Sequence, residues 1–260
     1  MFKKVLPIIT GLLFLVTIVS CIMIADTMIR SDAEIEDFEN LSALTKIPTE
    51  STEEETSIPP DEPPETEPEP IFTRNLSPLF EKNNDCIGWI CIPDTAVDYP
   101  VMHTPQDQEK YLHKNFDRKY SASGVPFMQG NNTLEGDNII IYGHNMKNGT
   151  MFATITRYRE KAFCAKHPTI EFETGQGLKL YEVFAVVKMK NNDVWYNFIE
   201  AVDEIDYRNK VEEIKSRALY DTGVTPQYGQ QLITLSTCYG STKNDRIIVI
   251  GVEMGLERGK

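Results

Sequence analysis

Three side chains in this sequence are spaced so that they could act together on a peptide bond. Cys238 closes an apolar run, Leu232-Ile233-Thr234-Leu235, that ends in Ser236-Thr237-Cys238, and Arg246 opens a second run, Ile247-Ile248-Val249-Ile250. Both runs have the β-branched, near-continuous apolar character of buried strands. If the two strands pair, thiol and guanidinium share one end of a sheet. Attack on an amide needs a thiolate, a proton for the leaving amine, and positive charge where the oxyanion develops. An arginine stays charged at any working pH, so the missing group is a base. Of the four histidines, His103, His113 and His167 fall in polar segments, whereas His144 follows Ile139-Ile140-Ile141-Tyr142-Gly143 at a strand end. Rigid strand ends are where loops tend to carry catalytic groups. Each residue also has a plain alternative: a cysteine packed as a small hydrophobe, an arginine as a surface charge, a loop histidine bonding a carbonyl.

The elements that must position these groups are short. Leu76 to Asn83 predicts a helix, 88–93 and 97–101 predict strands bounded by Pro, and Gln106 to Phe116 predicts a helix. Strands are expected over 125–128, 138–142, 169–173 and 178–187, with a helix over 151–158. Between Val202 and Leu219 the apolar residues Val202, Ile205, Val211, Ile214 and Leu219 predict an amphipathic helix, with Glu212 and Lys215 as an opposite-charge pair. Gly143 is expected to let the backbone turn sharply before His144. About eight short strands with few helices predict a β-barrel or sandwich.

The formal net charge of -13 is not spread evenly. Residues 31–70 carry fourteen acids and one base, while residues 71–260 carry 24 acids and 22 bases. The folded part is close to neutral, and a clustered basic excess of the nucleic-acid-binding kind is absent. The acidity belongs to a stretch, Ile47 to Pro70, with seven prolines and nine acids. Such a composition cannot bury enough apolar surface to offset its ordering entropy. In polyproline form its 24 residues could reach on the order of 70 Å, as a stalk or as a simple tether. Before it, residues 28–46 alternate acids with Ile35, Phe38, Leu41 and Leu44, a spacing compatible with a short amphipathic helix.

Val5 to Ala25 carries no charge and follows Lys3 and Lys4. It is long enough to cross a bilayer, and the lysines place the N-terminus in the cytoplasm and the rest outside. A cleaved signal peptide and a lipidated Cys21 are the rivals; no small-residue cleavage site follows, and the apolar run continues past Cys21. The expected organisation is therefore a tip and membrane anchor (1–27), a juxtamembrane helix and acidic linker (28–70), and a catalytic domain (71–260). The five cysteines include no metal-type pair; Cys86, Cys91 and Cys164 are expected to be structural or free thiols.

Three segments, Tyr142-Gly143-His144-Asn145-Met146, Thr234-Leu235-Ser236-Thr237-Cys238 and Arg246-Ile247-Ile248-Val249, resemble the sortases, over roughly residues 71–254. Ser236 and the insertion Asp193–Gln230 look like class B, as do Tyr111-Leu112-His113-Lys114-Asn115-Phe116 and Gly149-Thr150-Met151-Phe152. The resemblance implies a closed eight-stranded β-barrel with short helices, a helical insertion before the Cys strand, and an N-terminal transmembrane helix. It implies a cysteine transpeptidase that cuts a surface protein's C-terminal sorting signal after Thr, through a thioacyl intermediate, and passes it to a peptidoglycan amine. Cys238 would be the nucleophile, His144 the acid–base, and Arg246 the holder of the substrate backbone or oxyanion. The backbone N–H of Tyr239 would be a second oxyanion donor, and Ser236, Tyr196 and Tyr239 would line the groove. No metal and no cofactor is implied. The expected partners are a sorting signal of the NP-x-T type, a wall precursor or cross-bridge amine, and the membrane. Other readings stay open: a hydrolytic cysteine endopeptidase, a pilin-polymerising sortase, or a membrane-tethered binding module with a buried Cys238.

Overall fold

The computed structural model describes residues 2–47 and 70–255. Most of the acidic Pro-rich linker thus lies outside the described residues. The chain divides into two compact units, one up to Leu41 and one from Ser42. The first is a single helix, α1 (Phe2–Leu44), in which the apolar run and the helix expected over 28–46 are continuous. The reason is local: no Pro or Gly occurs between Leu12 and Leu44 to break it, and Arg30 pairs with Asp26 one turn earlier at 2.9 Å. From Thr10 onward it contains a stretch apolar and long enough to cross a membrane.

The second unit is a closed barrel of eight strands: β1 (Cys86–Cys91), β2 (Asp98–Met102), β3 (Phe127–Met128), β4 (Asn138–Tyr142), β5 (Thr169–Thr174), β6 (Gly177–Lys190), β7 (Leu232–Cys238) and β8 (Asp245–Glu253). Around the barrel they run β1-β2-β3-β4-β7-β8-β6-β5, and β5 pairs back onto β1. Closure removes every sheet edge. Short helices accompany it: α2 (Ser77–Lys82), the 3-10 helix Phe152–Arg159, α3 (Lys161–Lys166), the 3-10 helix Val194–Asn197, and α4 (Glu204–Ser216).

Two expected helices change character. Gln106–Phe116 is a run of turns, with Lys110 N–H donating to Asp107 O and Leu112 N–H to Glu109 O. Tertiary bonds hold it open. The Tyr111 hydroxyl donates to Asp85 at 2.7 Å, and Asn83 donates to the Phe116 carbonyl at 2.6 Å. The segment after Met151 is a 3-10 helix. In α4 the buried residues are Tyr207, Val211 and Ile214, while Val202 and Ile205, expected on the apolar face, are 90% and 70% exposed. Lys215 bonds Val224 O and Thr225 rather than Glu212.

The insertion packs as a lid on one side of the barrel. Trp195, Tyr196, Phe198, Tyr207, Val211 and Ile214 form one buried cluster with Ile140, Leu232, Ile248 and Ile250. Each such side chain contributes roughly 1.5–3 kcal/mol when fully buried. The Trp195 indole N–H donates to Thr234 Oγ1 (3.1 Å), and Asn138 donates to Phe198 O (2.9 Å), so the polar atoms on this seam are satisfied.

Candidate active site

Strand parity assembles the site. In the antiparallel β7–β8 pair Cys238 lies directly opposite Arg246, so thiol and guanidinium project to the same face. In the parallel β4–β7 pair Tyr142 is level with Ser236. His144 follows Tyr142 by two residues, as Cys238 follows Ser236. Cross-strand bonds carry this register beyond the strand ends. Gly143 N–H donates to Ser236 O (3.2 Å), Thr237 Oγ1 to Gly143 O (2.7 Å), and Asn145 Nδ2 to Cys238 O (2.9 Å).

Cys238 is exposed at the end of β7. All five cysteines are free thiols. Cys86 and Cys164 are buried, and burial pushes the Cys86 and Cys91 thiols up to about 12, which makes them poor thiolates.

His144 Nε2 lies 2.9 Å from Leu112 O. A carbonyl can only accept, so Nε2 carries the proton and Nδ1 is the basic nitrogen. The His113 ring stacks on it at 5.4 Å with planes 25° apart. Burial lowers the His144 pKa, the His113 charge adds to this, and the bond to Leu112 opposes both. The Phe152 N–H donates to His144 O at 2.8 Å. The reason for Gly143 is not a turn. A Cβ there would sit 2.6 Å from the Phe152 ring, so glycine is required by close approach.

Arg246 is held by the β7–β8 loop, donating from Nη1 to Lys243 O (2.7 Å) and Asp245 O (3.0 Å). Behind the thiol the same face carries a tyrosine pair. Tyr196 shares a hydrogen bond with Ser236 Oγ (2.8 Å) and stacks on Tyr142 at 5.8 Å. The Tyr142 hydroxyl donates to Gln129 Oε1 (2.5 Å), and Gln129 donates to Tyr196 O (3.0 Å). Burial pushes the Tyr196 phenol up to about 12, so it is a neutral hydrogen-bonding group. Ser236 and Tyr196, expected to line a groove, are both buried and bonded to each other. Tyr142 and Gln129 belong to the same bonded cluster and are not among the site residues expected from sequence; for Tyr142 the signal is its place two residues before His144.

Tyr239 is arranged differently from the expectation. Its backbone N–H, expected as an oxyanion donor, donates to Asp245 O at 3.0 Å and closes the turn between β7 and β8. Its side chain follows the opposite parity to Cys238 and meets Lys188, whose Nζ is 4.9 Å from the ring centroid. Gly240, at φ +106, allows this tight turn. Among the described residues no cluster of His, Cys, Asp and Glu could hold a metal ion.

A family model described as the sortase domain matches residues 90–254. Sortase B of Listeria monocytogenes serovar 1/2a (strain ATCC BAA-679 / EGD-e) is 36% identical over 165 residues, which span 63% of this chain and 66% of that protein. A solved Staphylococcus aureus sortase B–substrate complex matches with a TM-score of 0.66 and 28% identity, covering 70% of this chain and 86% of that one. A sortase B complexed with triglycine matches with a TM-score of 0.65 and 28% identity, covering 70% of this chain and 86% of that one.

Proposed function

The chain belongs to the sortase family, in class B, and from that premise we propose that it is a cysteine transpeptidase acting on the sorting signals of surface proteins. The observation that carries this is the pairing of Cys238 with Arg246 across β7–β8, with His144 two residues past the end of the neighbouring strand β4. Cys238 attacks the carbonyl after the signal's Thr, and His144 Nδ1 takes the thiol proton and passes it to the leaving amine. Arg246 holds the oxyanion; with the Tyr239 N–H engaged by Asp245, the guanidinium bears more of that task. The resulting thioacyl-enzyme is resolved by an amine of the peptidoglycan precursor or cross-bridge. The signal lies along Ser236, Tyr196 and Tyr142. The solved relatives bound to substrate and to triglycine support a donor and an amine as the two partners.

Helix α1 anchors the enzyme as a single span, N-terminus inside, with the barrel outside and residues 28–70 as the spacer. The lysines before the apolar run support this orientation.

The test is product analysis of a sorting-signal peptide, with and without an added amine. Transpeptidation predicts an amide product when amine is present, and hydrolysis in both conditions would leave only an endopeptidase. Cys238→Ala is expected to keep the fold, because the thiol sits exposed at a strand end, and to form no acyl-enzyme by mass spectrometry. Release of the C-terminal fragment by that variant would remove Cys238 as nucleophile.

A further inference from the structure

The histidine expected to act as acid–base is held by a loop carbonyl, and that carbonyl is itself held from outside its own segment. Leu112 O accepts from His144 Nε2 at 2.9 Å. The carbonyls on either side of it are both taken, Tyr111 O by Val125 N–H and His113 O by Ser121 N–H, each at 3.1 Å. The Tyr111 side chain is fully buried and ends in a polar cluster just before β1. Its hydroxyl donates to Asp85 Oδ2 (2.7 Å) and accepts from Asn83 Nδ2 (2.8 Å). Lys110 Nζ and Arg118 Nε reach the same carboxylate oxygen at 2.7 and 3.3 Å. Asn83 also donates to Phe116 O (2.6 Å), and Arg118 Nη2 donates to Asn83 Oδ1 (2.6 Å) and Asn84 Oδ1 (2.8 Å). Arg118 sits at φ +65, a backbone state costly for a residue with a side chain, and these bonds keep it there.

We propose that Asp85 is a positioning residue for His144, acting through Tyr111 and the Leu112 carbonyl. This rests on His144 serving as the acid–base. The argument is one of connectivity. Residues 106–116 are a run of turns and lack the regular bonding by which a helix sets its carbonyl directions. The segment therefore takes its position from side chains beyond it, and one oxygen, Asp85 Oδ2, gathers Lys110, Tyr111 and Arg118. A buried network whose members are all bonded is rigid. In a Ser-His-Asp site a carboxylate bonds the histidine directly and fixes its tautomer. Here a carbonyl takes that place, and because it can only accept, it keeps the proton on Nε2 and leaves Nδ1 for the thiol. The carboxylate stands one step further back and fixes the carbonyl. Burial works against the Asp85 charge, but the bonds from Lys110 and Tyr111 and the charge of Arg118 outweigh it and hold the carboxyl below its ordinary value.

The experiment uses the full-length protein in detergent, isotope-labelled at the histidine nitrogens. It reads kcat and KM for a sorting-signal peptide, together with the His144 Nε2–H resonance, which persists only while the bond to Leu112 O slows exchange with water. His144→Gln assigns that resonance by its loss. Tyr111→Phe removes one oxygen and keeps the buried ring, and Asp85→Ala removes the carboxylate. Both should lower kcat about tenfold, the scale on which outer partners of a ligating histidine act. KM should stay within about twofold, and the resonance should broaden beyond detection. Lys82→Gln breaks the exposed Lys82–Asp117 pair (3.0 Å) beside the same segment and should change none of these. Circular dichroism checks the fold of each variant. If Asp85→Ala does not fold, Tyr111→Phe decides alone, because its packing is kept. A folded variant that retains the resonance, or retains normal kcat, would overturn the proposal, as would absence of the resonance from the unaltered protein. If the unaltered protein releases no fragment from the peptide, acyl transfer fails, and the resonance still decides whether Asp85 holds His144.

Discussion

At the scale of single residues, the proposed site depends on a few atoms being held where charge would develop. Arg246 donates to loop carbonyls through one nitrogen of a planar fork, so the remaining donors keep a fixed direction. Lysine offers a mobile point charge instead. Arg246→Lys should lower kcat by roughly 10²–10³-fold, the scale of losing one oxyanion donor; near-normal turnover would mean that Arg246 only supports the loop. Gly143 makes a different demand. Alanine there would place a methyl group against the Phe152 ring, and the main-chain bond from Phe152 to His144 passes the displacement to the imidazole. Gly143→Ala should cost about 1–3 kcal/mol in stability by overpacking. It should also lower kcat/KM on the order of 100-fold, as a misplacement near 1 Å can. Unchanged kinetics with a lowered melting temperature would separate packing from catalytic geometry. Cys238, His144 and Arg246 stand out as candidates in the sequence because each sits at the boundary between an apolar run and a polar loop. Leu112 does not. Its contribution is a carbonyl, which every residue has.

At the scale of elements, an ion pair ties the two parts of the insertion together. Arg217, just after α4, grips both carboxylate oxygens of Asp193, which also caps the 3-10 helix carrying Trp195 and Tyr196. Burial alone would raise the Asp193 pKa, but the Arg217 guanidinium outweighs it and holds the carboxyl below its ordinary value. A carboxyl depressed in the folded state contributes stability that is fully present above its unfolded pKa of 3.8 and is lost as pH falls through the lower folded value. Asp193→Asn should therefore lower the melting temperature at pH 7 by roughly 3–6 °C. The difference from the unaltered protein should vanish in strong acid, and calorimetry across pH checks it. A difference that persists at low pH would assign the effect to the cap rather than the charge. The sequence marked this insertion as helical from its periodicity, yet Val202 and Ile205 do not face the barrel. Periodicity locates a helix; which stripe is buried depends on the surface it meets.

At the scale of the whole molecule, the proposed arrangement is an enzyme carried away from its membrane anchor by an acidic, Pro-rich stretch. If that stretch is a spacer, deleting residues 50–68 should leave cleavage of a soluble sorting-signal peptide unchanged and reduce the attachment of surface proteins to the wall in cells. Cell fractionation with an antibody to one such surface protein measures this, and equal attachment with and without the stretch would reduce it to a tether. The sequence alone determined what depends on local pattern: the apolar run able to span a bilayer, the segregation of acidity away from the domain, the strand character of β4, β7 and β8, and the three reactive residue types. These follow from composition and from the two-residue strand period. The tertiary structure decided which of those residues meet. His144 and Cys238 are 94 positions apart, and the parallel pairing of β4 with β7 brings the strand ends that precede them side by side. The same pairing logic turned Tyr239 away from the thiol and onto Lys188, and bonds from Asn83 and Asp85 kept residues 106–116 from becoming a helix. Such outcomes depend on hydrogen bonds between distant segments, and no window of neighbouring residues contains both partners.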